Sequence, residues 1–294
     1  MAEGTKLADA YVQIIPISEC ITGRIKDLFK DLPDEGDKAG DKTGSSFASK
    51  LKKAVAAAGV GAAISKVVTS AFTEGAALEQ SLGGVETLFK KHADIVKKNA
   101  QDAYKTAGVS ANEYMENVTS FSASLLTSLS GDTQEAAKVA HTAMVDMSDN
   151  ANKFGSDMQS IQNAYQGFAK QNYTMLDNLK LGYGGTKSEM ERLLQDAQKF
   201  SGVEYNIDNL SDVYNAIHTI QQNLDITGTT AKEASTTFSG SFASMKAAAK
   251  NFLGVLTAGG DADKAFSDLL GSADTFFDNV KRLAKSFLSQ SVQV

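Results

Sequence analysis

The chain has 294 residues, enough for one large or two modest domains that bury a core of their own. Its formal net charge is -6, and lysines and arginines are interleaved with acids instead of forming a basic block, which argues against direct binding of nucleic acid. One cysteine, Cys20, excludes an internal disulfide and has no Cys or His at zinc-ligand spacing, as expected of a chain made in a reducing cytoplasm.

The N-terminal MAEGTKLADAYVQIIPI carries Glu3 and Asp9 and lacks the apolar core of a signal peptide. Within a first segment, 1–32, AYVQIIPI at 10–17 is β-branched and aromatic, ends at a proline, and predicts a short strand. PDEGDKAGDKTGSS at 33–46 is charged and has no large apolar residue, which predicts a flexible linker. Beyond Pro33 there is no proline, so the strongest helix breaker is missing and the rest of the chain should be mainly α-helical.

The region 47–109 opens with Phe47, Leu51, Ala54, Ala58, Gly61, Ser65, Val68 and Phe72 at alternating spacings of four and three, the stripe of one helix with small residues at its centre. Its apolar run AVAAAGVGAAI, 54–64, is well short of the ~18 residues of a membrane-spanning helix, and Lys52, Lys53 and Lys66 flank it, so packing against a neighbour is favoured over seeking a bilayer.

In the region 110–258, three Ser/Thr-x-x-Glu pairs predict helix starts with capping boxes: Ser110 with Glu113, Thr186 with Glu189, and Thr230 with Glu233. Asp132 is placed to cap a further helix. Apolar faces follow at helical spacing: Tyr114, Val118, Phe121, Leu125 and Leu129; Ala136, Ala140, Ala143 and Met147; Met158, Ile161, Tyr165 and Phe168; and Leu210, Val213, Tyr214, Ile217, Ile220 and Leu224. Finally, in 259–294, Ala262, Phe266, Leu269, Ala273, Phe276, Val280, Leu283 and Phe287 keep the same spacing, predicting an elongated amphipathic helix with a coiled-coil-like seam. This segment should either bundle, with copies of itself or against a surrounding wall, or fold back onto 110–258. The fold class is thus mainly α, with helix-turn-helix hinges.

LKLGYGGTKSEM at 179–190 raises the question of a phosphate-binding loop. A P-loop needs glycine before its Lys-Ser, but Thr186 precedes Lys187 and Ser188; a dinucleotide fingerprint begun at Gly182 would put its third glycine at Lys187. Both fail. The expectation is a helix ending near Leu181, a turn in which Gly182 to Gly185 supply positive φ, and a new helix opened by Thr186. His92, His141 and His218 are isolated in sequence, no GxSxG or HExxH occurs, and acid pairs such as Asp146 and Asp149 or Glu189 and Glu191 suit helix starts and polar faces. No catalytic, cofactor-binding or metal-binding residue is assigned, and no cofactor is expected.

DMSDNANKFGSDMQSIQNAYQGFAKQNYTMLDNLKLGYGGTKSEMERLLQDAQKFSG, 146–202, closely resembles the signature block of phage tail tape measure proteins. AYVQIIPI, ALEQSLGGVETLF at 77–89, SFSASL at 120–125 and TTFSGSFASMKAAAKNFLG at 236–254 resemble the N-terminal region of that family in the same order. The likeness covers about residues 8–258. It implies a helical scaffold in the lumen of a growing tail that templates tube polymerisation, sets tail length and leaves ahead of the DNA. Implied partners are the tail tube protein, tail assembly chaperones and distal tail or baseplate proteins, with self-association through helices and host-membrane contact at ejection. The family transfers no catalytic role to Gly182, Gly184, Gly185 or Lys187. At 1.5 Å per residue a fully helical chain would span about 440 Å, short for this family, so the resemblance implies either the N-terminal part of a longer protein or a shortened prophage remnant. A membrane-active helical protein and a peptidoglycan-cleaving enzyme are the readings from other classes, the latter without a visible motif.

Overall fold

The computed structural model describes residues 60–291, and every contact below lies within the compact unit that begins at Thr69. The strand expected at 10–17, the linker at 33–46 and the first part of the small-residue stripe lie outside the described residues. The protein is mainly α-helical, with no strand among the described residues. In chain order the helices are α1 (Val60–Phe89), α2 (Ala93–Thr106), α3 (Ala111–Ser128), α4 (Thr133–Phe154), α5 (Met158–Phe168), α6 (Lys187–Ser201), α7 (Leu210–Asn223), α8 (Thr229–Thr236), α9 (Phe238–Ala258) and α10 (Ala262–Ser291). Short 3-10 turns occupy Lys90–His92 and Leu176–Leu179.

The apolar faces read from the sequence converge on one core. Tyr114, Val118, Phe121 and Leu125 of α3 are buried with Ala136, Ala140, Ala143 and Met147 of α4, Ile161, Tyr165 and Phe168 of α5, and Val213, Tyr214, Ile217 and Ile220 of α7. Leu224 does not join them; it lies at the C-cap of α7 and is exposed. Aromatic rings hold the centre: Tyr214 meets Tyr165 at 5.1 Å and Phe121 edge-on at 5.5 Å. The Tyr214 hydroxyl also donates to the backbone carbonyl of Tyr165 at 2.9 Å, so a buried polar group is satisfied by the helix it packs against.

Two of the three capping boxes depart from expectation. At α3 the box is complete: the Ser110 hydroxyl accepts from the Glu113 N–H, and the Glu113 carboxylate accepts from the Ser110 N–H at 2.9 Å. Asp132 caps α4 by accepting from the N–H groups of Gln134 and Glu135. At α6, Thr186 accepts from the Glu189 N–H, but the Glu189 carboxylate reaches past Thr186 to the Gly184 N–H at 2.9 Å. At α8 the expected box of Thr230 and Glu233 does not form. The cap residue is Gly228 at φ 83°, Thr230 lies inside the helix, and its N–H goes to Asp149 of α4. A carboxylate brought by the tertiary fold has displaced the local signal.

The glycine cluster also differs from its sequence reading. The segment before it is not a helix running to Leu181; after α5 comes a loop and then the 3-10 turn, which ends at Lys180 with φ 53°. Only Gly182 takes a positive φ, at 89°, while Gly184 and Gly185 do not. Gly185 is required for another reason: a Cβ there would stand 2.3 Å from the backbone oxygen of Thr174.

The chain then turns at Gly259 and Gly260, with φ 87° and 127°, and α10 runs back along α9 as an antiparallel hairpin. Phe252 meets Phe266 at 5.3 Å near the turn, and Phe238 meets Phe276 at 5.2 Å near the open end. The buried Asn279 amide donates to the carbonyls of Ser235 and Thr237, and Arg282 donates to that of Thr236, so α10 also holds the junction between α8 and α9. Within the single chain the C-terminal segment thus folds back onto α9.

The glycine geometry separates two substitutions. Gly185→Val forces the Thr174 backbone aside and should lower unfolding free energy by at least ~1 kcal/mol in a denaturant titration. Gly184→Ala meets nothing closer than the Glu189 Cγ at 3.5 Å and should leave the midpoint nearly unchanged.

Candidate functional site

Two places concentrate chemistry: a buried polar cluster between α4, α7 and α8, and the surface of the α9–α10 hairpin. The cluster begins with DMSDN in the last turns of α4. Asp146, Asp149 and Asn150 are all buried, Asp146 with 1% of its surface exposed. A buried carboxylate must be paired or neutralised, and each aspartate has found a partner. Asp146 faces His218 of α7, whose Nδ1 lies 2.8 and 3.0 Å from its two oxygens. Asp149 accepts from the N–H groups of Gly228 at 2.6 Å and Thr230 at 2.8 Å, taking up donors that the start of α8 would otherwise leave unpaired. The Asn150 amide donates to the carbonyl of Leu179, tying the 3-10 turn to α4.

Burial pushes the Asp146 carboxyl up to about 6, with His218 pulling the other way and Asp149 adding to the rise. Burial likewise raises Asp149, against its backbone hydrogen bonds. The hydrogen bond to Asp146 raises His218, against the effect of its own burial. Acid-base chemistry needs a substrate within reach. Asp146 and Asp149 line neither of the two main surface cavities, and their lone pairs are spent on His218 and on α8. The cluster is therefore a structural clamp.

The structure does not bring the three histidines together. His92 meets the Thr133 hydroxyl at 2.7 Å, His141 the Tyr114 hydroxyl at 2.9 Å, and His218 the clamp. No group of three or more His, Cys, Asp or Glu converges as metal ligands among the described residues. At the glycine turn, the Gly184 N–H that an anion would need is held by Glu189. Arg192 donates to Glu189 and to the Gly182 carbonyl and stacks over the Tyr183 ring at 4.3 Å. Lys187 points to Glu191, 4.0 Å away. The turn is filled by its own side chains.

The hairpin surface has the opposite character. Phe238 and Phe242 of α9 are 48% and 47% exposed, stacked on one another at 6.4 Å, and both contact Phe276 of α10. Phe277 adjoins Phe276, and Leu270, one heptad before Phe277, is exposed as well. Contiguous half-exposed rings mark an interaction surface more often than scattered single residues do. Sequence reasoning missed both features. Asp149 carries no local signal for a helix start 79 residues away. Phe238 and Phe242 are spaced one helical turn apart, as core residues would be.

Against known proteins, no family model, curated protein or solved structure matches the chain.

The clamp gives a pH dependence of definite sign. Asp146 and His218 both bind a proton more tightly folded than at their ordinary values of 3.8 and 6.5, so the stability they contribute is present on the acid side and lost as pH rises through their folded values. His141, lowered by burial, contributes in the reverse sense, so the comparison is made against a variant. The unfolding free energy of the wild type minus that of Asp146→Asn should fall between about pH 4 and pH 8. A difference that is flat or rises across that window would remove the coupling.

Proposed function

We propose that this chain is a phage tail tape measure protein, or the N-terminal part of one, acting as a scaffold and not as an enzyme. What carries the reading is the block 146–202. Its acidic start forms the clamp that ends α4, its centre forms α5 and the 3-10 turn, and its glycine cluster with Thr186 starts α6. A stretch that carries a resemblance yet spends its polar groups on holding helices together suits a structural role. The exposed rings of Phe238 and Phe242 support it further, since a scaffold must offer surfaces that other subunits cover.

In this reading the chain occupies the tail lumen after synthesis in the host cytoplasm, templates polymerisation of the tail tube protein, sets tail length and is released ahead of the genome. Tail assembly chaperones and distal tail or baseplate proteins are its other partners. Self-association uses helical surfaces, among them the half-exposed rings of the α9–α10 hairpin. No described helix is long and apolar enough to cross a membrane, which gives the membrane-active alternative no added support.

Co-expression with a tail tube protein encoded in the same genome tests the proposal. Tubes of uniform length that carry the chain protected from protease are expected. The double substitution Phe238→Ser with Phe242→Ser, at half-exposed positions, should leave the chain folded and reduce its incorporation. Tubes of unchanged length without the chain, with the chain left free and protease-accessible, would defeat the proposal.

A further inference from the structure

The α9–α10 hairpin has two flanks of different character. On α10, Asp268, Ser272 and Asn279 lie on the flank turned toward the domain: the Tyr104 hydroxyl of α2 donates to Asp268, Ser272 and Asn279 are buried, and Tyr104 packs with Ala247, Ala248 and Leu269. Phe266, Leu270 and Phe277 repeat the same spacing two residues out of step, about 200° round the helix, and so stand on the opposite flank. Phe238 and Phe242 add half-exposed rings through their contacts with Phe276, and Phe252 packs on Phe266 nearer the turn. A helix pair that buries one flank in the domain and lines the other with rings is one layer short of a core.

The charges beside the rings decide what can supply that layer. Asp263, Asp274 and Asp278 are exposed and the chain carries a net charge of -6, which disfavours an anionic lipid surface. A second copy fits because of the order of charges along α10. From Ala262 to Asp278 the helix has four acids and one base; beyond Asp278 it has Lys281, Arg282 and Lys285 and no acid. Asp274 and Lys281 are exposed, three residues before and four residues after Phe277. Two α10 helices meeting antiparallel about Phe277 place Asp274 of each against Lys281 of the other, whereas parallel copies would set acid against acid and base against base. The Lys281–Asp278 pair within the helix, 3.3 Å apart on the surface, is worth little and does not hold Lys281 back.

The size of the flank sets the strength of such a contact. With α9 rising about 30 Å and its neighbour roughly 10 Å away, the flank offers on the order of 600 Å² per copy. That is the lower end for a specific interface, so the pairing is reversible and depends on concentration.

We infer that the aromatic flank of the α9–α10 hairpin pairs with the same flank of a second copy, antiparallel and about a two-fold axis near Phe277. This gives the self-association of the proposed scaffold a surface and an orientation, yet draws nothing from tail assembly, so the two can fail separately.

Sedimentation velocity on the whole chain over a range of concentrations tests it, beside Phe238→Ser with Phe242→Ser and beside Lys281→Asp. Far-UV circular dichroism and thermal unfolding first establish that each variant is folded; Lys281, on the surface, keeps the test intact if the serine variant is not. A wild-type dimer whose dissociation constant rises at least tenfold in each folded variant is expected, and mixing Lys281→Asp with Asp274→Lys should restore it. Orientation is read in a Cys20→Ser background by oxidising Asp274→Cys and Lys281→Cys, singly and mixed: a disulfide between copies should form in the mixture and not in either alone. A monomer or a larger assembly at every concentration, a dimer indifferent to the variants, or a disulfide formed by Asp274→Cys alone would overturn the inference.

Discussion

The first N–H groups of a helix have no partner within it, and α8 has no side-chain cap of its own. Its cap position is a glycine, and Thr230 is already inside the helix. The Asp149 carboxylate, carried by α4, supplies what is missing, with both oxygens engaged. Much else follows from that borrowed cap. It holds the end of α7 and the start of α8 against the core, and α8 leads directly into α9 and the hairpin. Lys153 of α4 reinforces the join by donating to the carbonyl of Asp225. The neighbouring Asp146 is buried for the same reason, since three residues along a helix return to nearly the same face.

The helical build was legible because a long proline-free stretch with apolar residues at helical spacing can bury those faces only against one another. Ser110 and Asp132 were legible because the N–H groups they accept from lie within three residues. The failures share one cause. Thr230 reads as a cap, but Gly228 takes the cap position and the Asp149 carboxylate from α4 accepts from the Gly228 and Thr230 N–H groups, so tertiary contact outweighs a local signal. Gly185 reads as a positive-φ residue; what demands glycine there is the Thr174 backbone, 11 positions earlier and invisible to local pattern.

Phe238, Phe242 and Phe276 form an apolar patch that gains from any well-shaped apolar cover, and suits a repeated structural contact. The clamp fixes α8 and thereby where the hairpin begins.

Hydrogen exchange on Asp149→Ala tests the central role of the borrowed cap most directly. The account predicts that the amides of Gly228 and Thr230, with the first turn of α8, lose protection, while those of α3, α5 and the start of α4 keep theirs. Unchanged protection at Gly228 and Thr230, or an equal loss throughout the core, would contradict it.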